Sequence, residues 1–146
     1  MLPWKSSGLE VEEIPIDEPY GFIYQITYDD GTYYYGKKAF YSFITLPPLK
    51  SGEPREGHIA FSYKNGSGKR KPIEKVKKES NWKTYTGSTL TFDNLTIVER
   101  EILAFARSKR ELTYLEAKCL FQTEALEDPL CRNENINGLW YRDNLI

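Results

Sequence analysis

Alternation with a period of two dominates the first third of the chain. In Gly21-Phe22-Ile23-Tyr24-Gln25-Ile26-Thr27-Tyr28, Phe22, Tyr24, Ile26 and Tyr28 alternate with Ile23, Gln25 and Thr27. This aromatic and β-branched mix predicts a strand. Asp30-Gly31 follows, and glycine's tolerance of positive φ makes the pair a hairpin turn. Thr32 to Tyr35 is the returning strand, closed by Gly36 and the Lys37-Lys38 pair. Asn94 to Ala106, with Leu95, Ile97, Val98, Ile102, Leu103 and Phe105, reads as a third strand, although Glu99-Arg100-Glu101 interrupts its pattern. The period then changes. Leu112, Leu115, Leu120 and Leu126, with Ala117, Cys119 and Phe121, give an apolar face at helical spacing. Ser108 with Glu111 three residues on is a capping-box start, and Asp128-Pro129 bounds the far end. These elements predict an α+β fold: a three-stranded antiparallel sheet flanked by helices.

The flanking segments are less regular. Residues 1–19 contain Trp4, Val11, Ile14 and Ile16 with prolines at 15 and 19, which argue against a helix. They read as an extended N-terminal arm, leaving 20–146 as the domain. Residues 45–72 hold four prolines and four glycines, a stretch too long for an ordinary connection. We read 45–80 as a long basic insertion, with a brief extended piece at His58–Tyr63 and a turn at Asn65-Gly66-Ser67-Gly68. Ser80 or Asn81 caps a short helix carrying Trp82, Lys83 and Tyr85, and Gly87 ends it.

Charge adds a second layer. The 146 residues carry 20 Lys and Arg against 21 Asp and Glu, so the chain is not a general basic coat for nucleic acid. The distribution is uneven. Met1 to Thr32 holds seven acids and one lysine, whereas Lys64 to Lys83 holds eight bases against Glu74 and Glu79. A local excess of that size acts on phosphates even in a neutral molecule; a solvated lysine-rich loop is the plainer reading. Trp82 and Tyr85 interleaved with lysine suit a phosphate backbone running past flat rings, while Trp82 suits packing on the sheet equally well. Cys119 and Cys131, with His58 as the lone histidine, do not supply four zinc ligands. No apolar run has the length of a membrane span and no secretory signal is recognisable, so a cytoplasmic, reduced chain is expected.

The hairpin resembles that of the GIY-YIG nuclease superfamily. Phe22-Ile23-Tyr24, preceded by Gly21, stands where Gly-Ile-Tyr would be, and Tyr34-Tyr35-Gly36 where Tyr-Ile-Gly would be. Trp82-Lys83-Thr84-Tyr85-Thr86-Gly87-Ser88 is similar to a segment of the phage SegE-type, homing-endonuclease-like members. The resemblance runs from about Tyr20 to Gly138. It implies a metal-dependent endonuclease that hydrolyses DNA, in the host-cell cytoplasm if phage-encoded. It places the metal ligand at Glu116, on the helix after the third strand, holding one Mg²⁺ or Mn²⁺. It places the family's asparagine at Asn133, which fits the spacing, or at Asn135, which fits the local pattern; Asn133 is preferred.

By the same resemblance Tyr24 takes the proton of an attacking water and Tyr34 steadies the phosphate. Tyrosine's unperturbed pKa near 10 is too high for a base working alone. Two departures stand out: Phe22 replaces the first glycine of the motif, and Ile44 stands where the catalytic arginine is expected. Lys37, Lys38 or Lys83 is left to supply that charge, without arginine's planar fork. The catalytic set is therefore Tyr24, Tyr34, Lys37, Lys83, Glu116 and Asn133. The expected DNA contacts are Lys38, Lys75, Lys77, Lys78, Trp82, Tyr85 and Ser88. Two rival readings are a nucleic-acid-binding module that kept the fold without the activity, and a structural or protein-binding role.

Overall fold

In the computed structural model, residues 2–87 and 94–145 are described. The strands are β1 (Trp4–Ser6), β2 (Leu9–Val11), β3 (Gly21–Tyr28), β4 (Tyr33–Ala39), β5 (Tyr41–Leu46), β6 (His58–Asn65), β7 (Arg70–Glu79), β8 (Ile97–Ala106), β9 (Asn135–Ile136) and β10 (Trp140–Tyr141). The α-helix is α1 (Lys109–Gln122), with short 3-10 turns at Trp82–Thr84 and Arg142–Asn144. The chain divides into two compact units: Met1–Phe40 with Asn81–Ile146, and Tyr41–Ser80. Among the described residues no helix is long and apolar enough to cross a membrane.

The α+β class stands, but the expected three-stranded sheet, β8-β3-β4, is one end of a larger one. The first unit holds a five-stranded sheet in the order β2-β1-β8-β3-β4. β3 lies antiparallel between β4 and β8. The extended arm of 1–19 contributes the β1–β2 hairpin, and β1 joins β8 in parallel at Lys5↔Glu101. A hairpin formed there because Trp4 has a place to go: its ring is buried against Phe22 at 5.0 Å and Tyr24 at 5.3 Å. Glu99-Arg100-Glu101 does not break β8. Arg100 turns inward, lies over the Trp4 ring at 4.5 Å, and donates to the carbonyls of Leu2, Lys83 and Tyr85. A buried guanidinium is tolerated because these acceptors satisfy it.

Alternation sorts the side chains of β3 onto two faces. Phe22 and Tyr24 join Trp4, Phe40 and Trp82 in an aromatic cluster. Ile23, on the other face, packs with Ala106 and Leu112 of α1. α1 begins as its sequence indicates: Ser108 Oγ accepts from Glu111 N at 3.1 Å, and Glu111 Oε1 accepts from Arg107 N. The helix stops at Gln122 rather than running to Asp128; a turn then carries Ala125 and Leu126 into a second cluster with Tyr35, Leu120, Cys131 and Ile136.

The expected returning strand was also too short. β4 runs through Gly36 to Ala39, because Gly36 faces Tyr24 across the pair and a Cβ there would strike the Tyr24 ring and hydroxyl. The glycine of the Tyr-x-Gly motif makes room for the first tyrosine; it does not end the strand.

The second unit is a three-stranded antiparallel sheet in the order β5-β7-β6. Its one buried charged side chain is Glu74 on β7. The Glu74 carboxylate accepts from Arg55 N at 2.9 Å and Arg55 Nη1 at 2.7 Å, and meets His58 Nδ1 at 2.8 Å. Burial alone would raise its pKa, but these partners hold it below the ordinary carboxylate value.

Candidate active site

β4 is the outer strand of the five-stranded sheet, and its free edge is covered as far as Tyr35 by the chain after α1. Tyr33 N donates to Leu130 O and Arg132 N to Tyr33 O. Asn133 extends this cover with its side chain. Its Oδ1 accepts from Tyr35 N and its Nδ2 donates to Tyr35 O, both at 2.9 Å. The amide thus imitates a paired strand. Arg142 closes the segment, donating to the carbonyls of Ala125, Asp128, Cys131 and Asn133.

Beyond that cover lies a cavity of about 470 Å³, lined by Tyr34, Lys37, Glu116, Asn133, Glu134 and Asn137 among others. Lys37 comes from β4 and Glu116 from α1. Lys37 Nζ is 3.7 Å from Glu116 Oε1 and donates to Thr113 Oγ1 at 3.1 Å, one helical turn away. Glu116 is largely buried, and that burial raises its pKa, with Lys37 opposing. The hairpin β9–β10 supplies the far wall. Its turn at Asn137 and Gly138 takes positive φ at both residues, which asparagine and glycine tolerate best.

Tyr24 lies across Gly36, almost fully buried, with ring neighbours Tyr34 at 6.4 Å and Tyr85 at 6.0 Å. Its pKa is driven well above that of a free tyrosine, first by burial, then by Tyr85 and Tyr34, with a smaller push from the Glu116 charge. Its hydroxyl shares a hydrogen bond with Tyr85. Lys38 Nζ sits 4.2 Å from the Tyr85 ring centroid, and burial lowers the Lys38 pKa.

Of the expected residues, Tyr34, Lys37, Glu116 and Asn133 line the cavity, while Tyr24 is outside its lining, beside Tyr34 on the same face of the sheet. Lys83 is elsewhere: its ammonium is 3.2 Å from Glu13 Oε1 on the arm. Trp82 is fully buried, so the expected DNA contact is corrected to a core residue. Its ring packs edge-on against both Phe22 and Phe40, and no face is left for a base. Tyr85 is partly exposed and shared between Tyr24 and Lys38. Lys75, Lys77 and Lys78 lie on β7 of the second unit, and Ser88 falls outside the described residues.

Two features escaped sequence reasoning. Glu134 lines the cavity as a second acid, although nothing in its surroundings in sequence separates it from an ordinary turn residue. Arg142 braces Asn133 by donating to its carbonyl, and nothing in its sequence surroundings pointed to that contact.

Glu116 and Glu134 are the two acids lining the cavity that could hold a divalent ion, and among the described residues no three His, Cys, Asp or Glu side chains group to hold a metal. Hard cations with so few protein ligands keep water and substrate oxygens in the remaining positions.

A family model described as the putative endonuclease segE, GIY-YIG domain, matches residues 4–145. No curated protein and no solved structure matches the chain. The matched span takes in the β1–β2 hairpin, the tyrosine-bearing strands, the 41–80 sheet and the helix with Glu116. With nearly its whole length accounted for, the chain belongs to the GIY-YIG family of the segE type.

Proposed function

We propose that this chain is a metal-dependent endonuclease that hydrolyses DNA phosphodiester bonds. The observation that carries this reading is that Glu116, Lys37 and Tyr34 all line one cavity beside β4, with the Tyr24 ring 6.4 Å from that of Tyr34. Glu116 would hold the Mg²⁺ or Mn²⁺ ion, which when bound polarises the scissile phosphate. Lys37 supplies positive charge to the phosphate in transit, in the place the family gives to arginine. It is already held by Thr113, so little reorganisation is needed when charge develops. Tyr34 donates its phenolic proton in a hydrogen bond to a phosphate oxygen.

Tyr24 does not act as a standing phenolate at neutral pH, because burial disfavours that form. In our reading it is a relay. As a water attacks phosphorus and the P–O bond to the leaving 3′ oxygen breaks, Tyr24 takes the water's proton while its own passes to Tyr85, which is open enough to return one to solvent, and the leaving oxygen takes its proton from solvent. Asn133 holds β4 in register for Tyr34 and Lys37.

Nicking of supercoiled plasmid with Mg²⁺ tests the assignment. Wild-type protein produces open circles, EDTA stops it, and Glu116→Gln is inactive at equal protein concentration. A Glu116→Gln variant that cuts at the wild-type rate sinks the proposal. One observation favours the rival, a binding module without activity: Ile44, in the arginine's place, pairs with Val76 inside the 41–80 sheet, and no arginine is among the residues lining the cavity. That reading wins if the wild-type protein binds plasmid without cutting it.

A further inference from the structure

The two units differ sharply in charge. Residues 41–80 contain nine Lys and Arg and four Glu, a net of +5; the other 106 residues contain eleven and seventeen, a net of −6. The positive charge of the second unit is also sorted by strand register. Lys71, Lys75 and Lys77 alternate along one face of β7. Across the ladder, Lys64 pairs with Lys71, Ala60 with Lys75 and Phe43 with Lys77, so these side chains share that face. Val76 and Glu74 point the other way together with Arg70 and Lys78, so Lys78, expected from the sequence to contact DNA, is not part of this face. The only acid on the lysine face of these strands is Glu79, beyond Lys77. Phe43 is exposed there, and Lys77 Nζ lies 3.9 Å from the Tyr41 ring centroid.

The row ends in a cleft. At the β6–β7 turn a cavity of about 470 Å³ is lined by Lys64, Lys69, Lys71, Gly66, Ser67 and Gly68, with no acid among them. Four like charges on one sheet face repel one another directly across and along the strands. Such a face gains free energy when a polyanion lies on it. From Lys71 to Lys77 is six residues, roughly 20 Å of strand, or about six nucleotide steps of duplex at ~3.4 Å each.

We propose that the Lys64, Lys71, Lys75 and Lys77 face of the 41–80 sheet, continued into the Lys69 turn, holds the phosphate backbone of duplex DNA without regard to sequence. The choice of DNA as the polyanion rests on the nuclease reading; the charged track itself does not. Lysine ammonium groups on a flat sheet meet phosphates as point charges, and no row of base-reading amides or guanidinium groups accompanies them. The surface therefore supplies affinity and retention, while selectivity resides elsewhere.

Fluorescence anisotropy of a 30-base-pair duplex, titrated with full-length protein in EDTA from about 50 to 300 mM salt, tests this. Each phosphate neutralised contributes about 0.9 to the log–log salt slope. Replacing Lys64, Lys71, Lys75 and Lys77 together by Gln is expected to remove about three to four units of slope and to weaken binding more than tenfold at ~0.1 M salt. Lys78→Gln, on the opposite face, is expected to leave the slope in place. Should the fourfold variant lose its strand signal in circular dichroism, the Lys71/Lys75 and Lys64/Lys77 pairs to Gln are each expected to remove about two units.

An unchanged slope in the fourfold variant overturns the proposal, as does an equal loss in Lys78→Gln, which would mean a diffuse charge rather than a face. Binding confined to single strands and lost in Phe43→Ala overturns it in favour of base stacking. The plasmid assay runs in parallel. Slope lost without wild-type cleavage rejects only the nuclease reading, and cleavage with an unaltered slope rejects only this one.

Discussion

Gly36 and Tyr24 constrain each other. The Tyr24 ring occupies the space a Cβ at 36 would need, so Gly36→Ala must move either the ring or β4. Overpacking of this kind costs typically about 1–3 kcal/mol. We expect that loss in urea denaturation, with a fall in cleavage exceeding that of Tyr34→Phe. Glu116 behaves in the opposite sense. Its pKa is raised in the folded protein by burial, so protonation favours the native state. Its contribution is most favourable below the unfolded carboxylate pKa and is lost as pH rises through the raised value. At neutral pH the charged form therefore costs stability, and Glu116→Gln is expected to melt no lower than wild type while losing activity. Lys37 holds the Glu116 pKa down. Lys37→Met should move the acidic limb of the pH–rate profile upward; a stationary limb would detach the lysine from Glu116.

Among the elements, α1 and the 130–133 segment decide whether the cavity exists. Ser108 caps α1 through Glu111 N, and Ser108→Ala should cost about 1 kcal/mol. Asn133 carries more. Both Tyr35 backbone groups depend on its amide, and an orphaned buried group costs about 1–3 kcal/mol. Asn133→Ala should therefore destabilise more than Ser108→Ala, and Asn133→Asp should fail as a substitute because it cannot donate to Tyr35 O. Matching melting temperatures for Asn133→Ala and wild type would show that β4 does not need this brace. The helix and its cap were legible in the sequence because they depend on neighbours three and four residues apart. The brace was not, since Asn133 and Tyr35 meet only after the chain has turned back past α1.

Over the whole molecule, the two units differ in how much they bury. The first has two aromatic and aliphatic layers around β3 and β8, whereas in the second Val76 and Glu74 are the buried residues. Small cores are marginal. Amides of β5–β7 should exchange with deuterium by orders of magnitude faster than those of Ile23, Tyr24 and Ile102; equal protection would mean one cooperative body. The 41–80 sheet should also be the first to yield to acid. The folded pKa of Glu74 lies below its unfolded value, so its stabilisation is present above the ordinary carboxylate range and is lost as pH falls through the depressed value.

The sequence by itself determined the β3–β4 hairpin, the start of α1, the family and the order of Tyr24, Tyr34 and Glu116 along the chain. These follow from local periodicity, turn chemistry and short motifs, which act over a few residues. Only the tertiary structure decided that the lysine-rich stretch is a strand with Lys71, Lys75 and Lys77 on one side and Glu74 and Val76 on the other, that Trp82 is core, and that Lys83 turns to Glu13 while Lys37 meets Glu116. A lysine has the same helix, loop or strand signature whichever way it points. Its partner is chosen by burial and charge between residues 70 or more positions apart, and no local pattern records that choice.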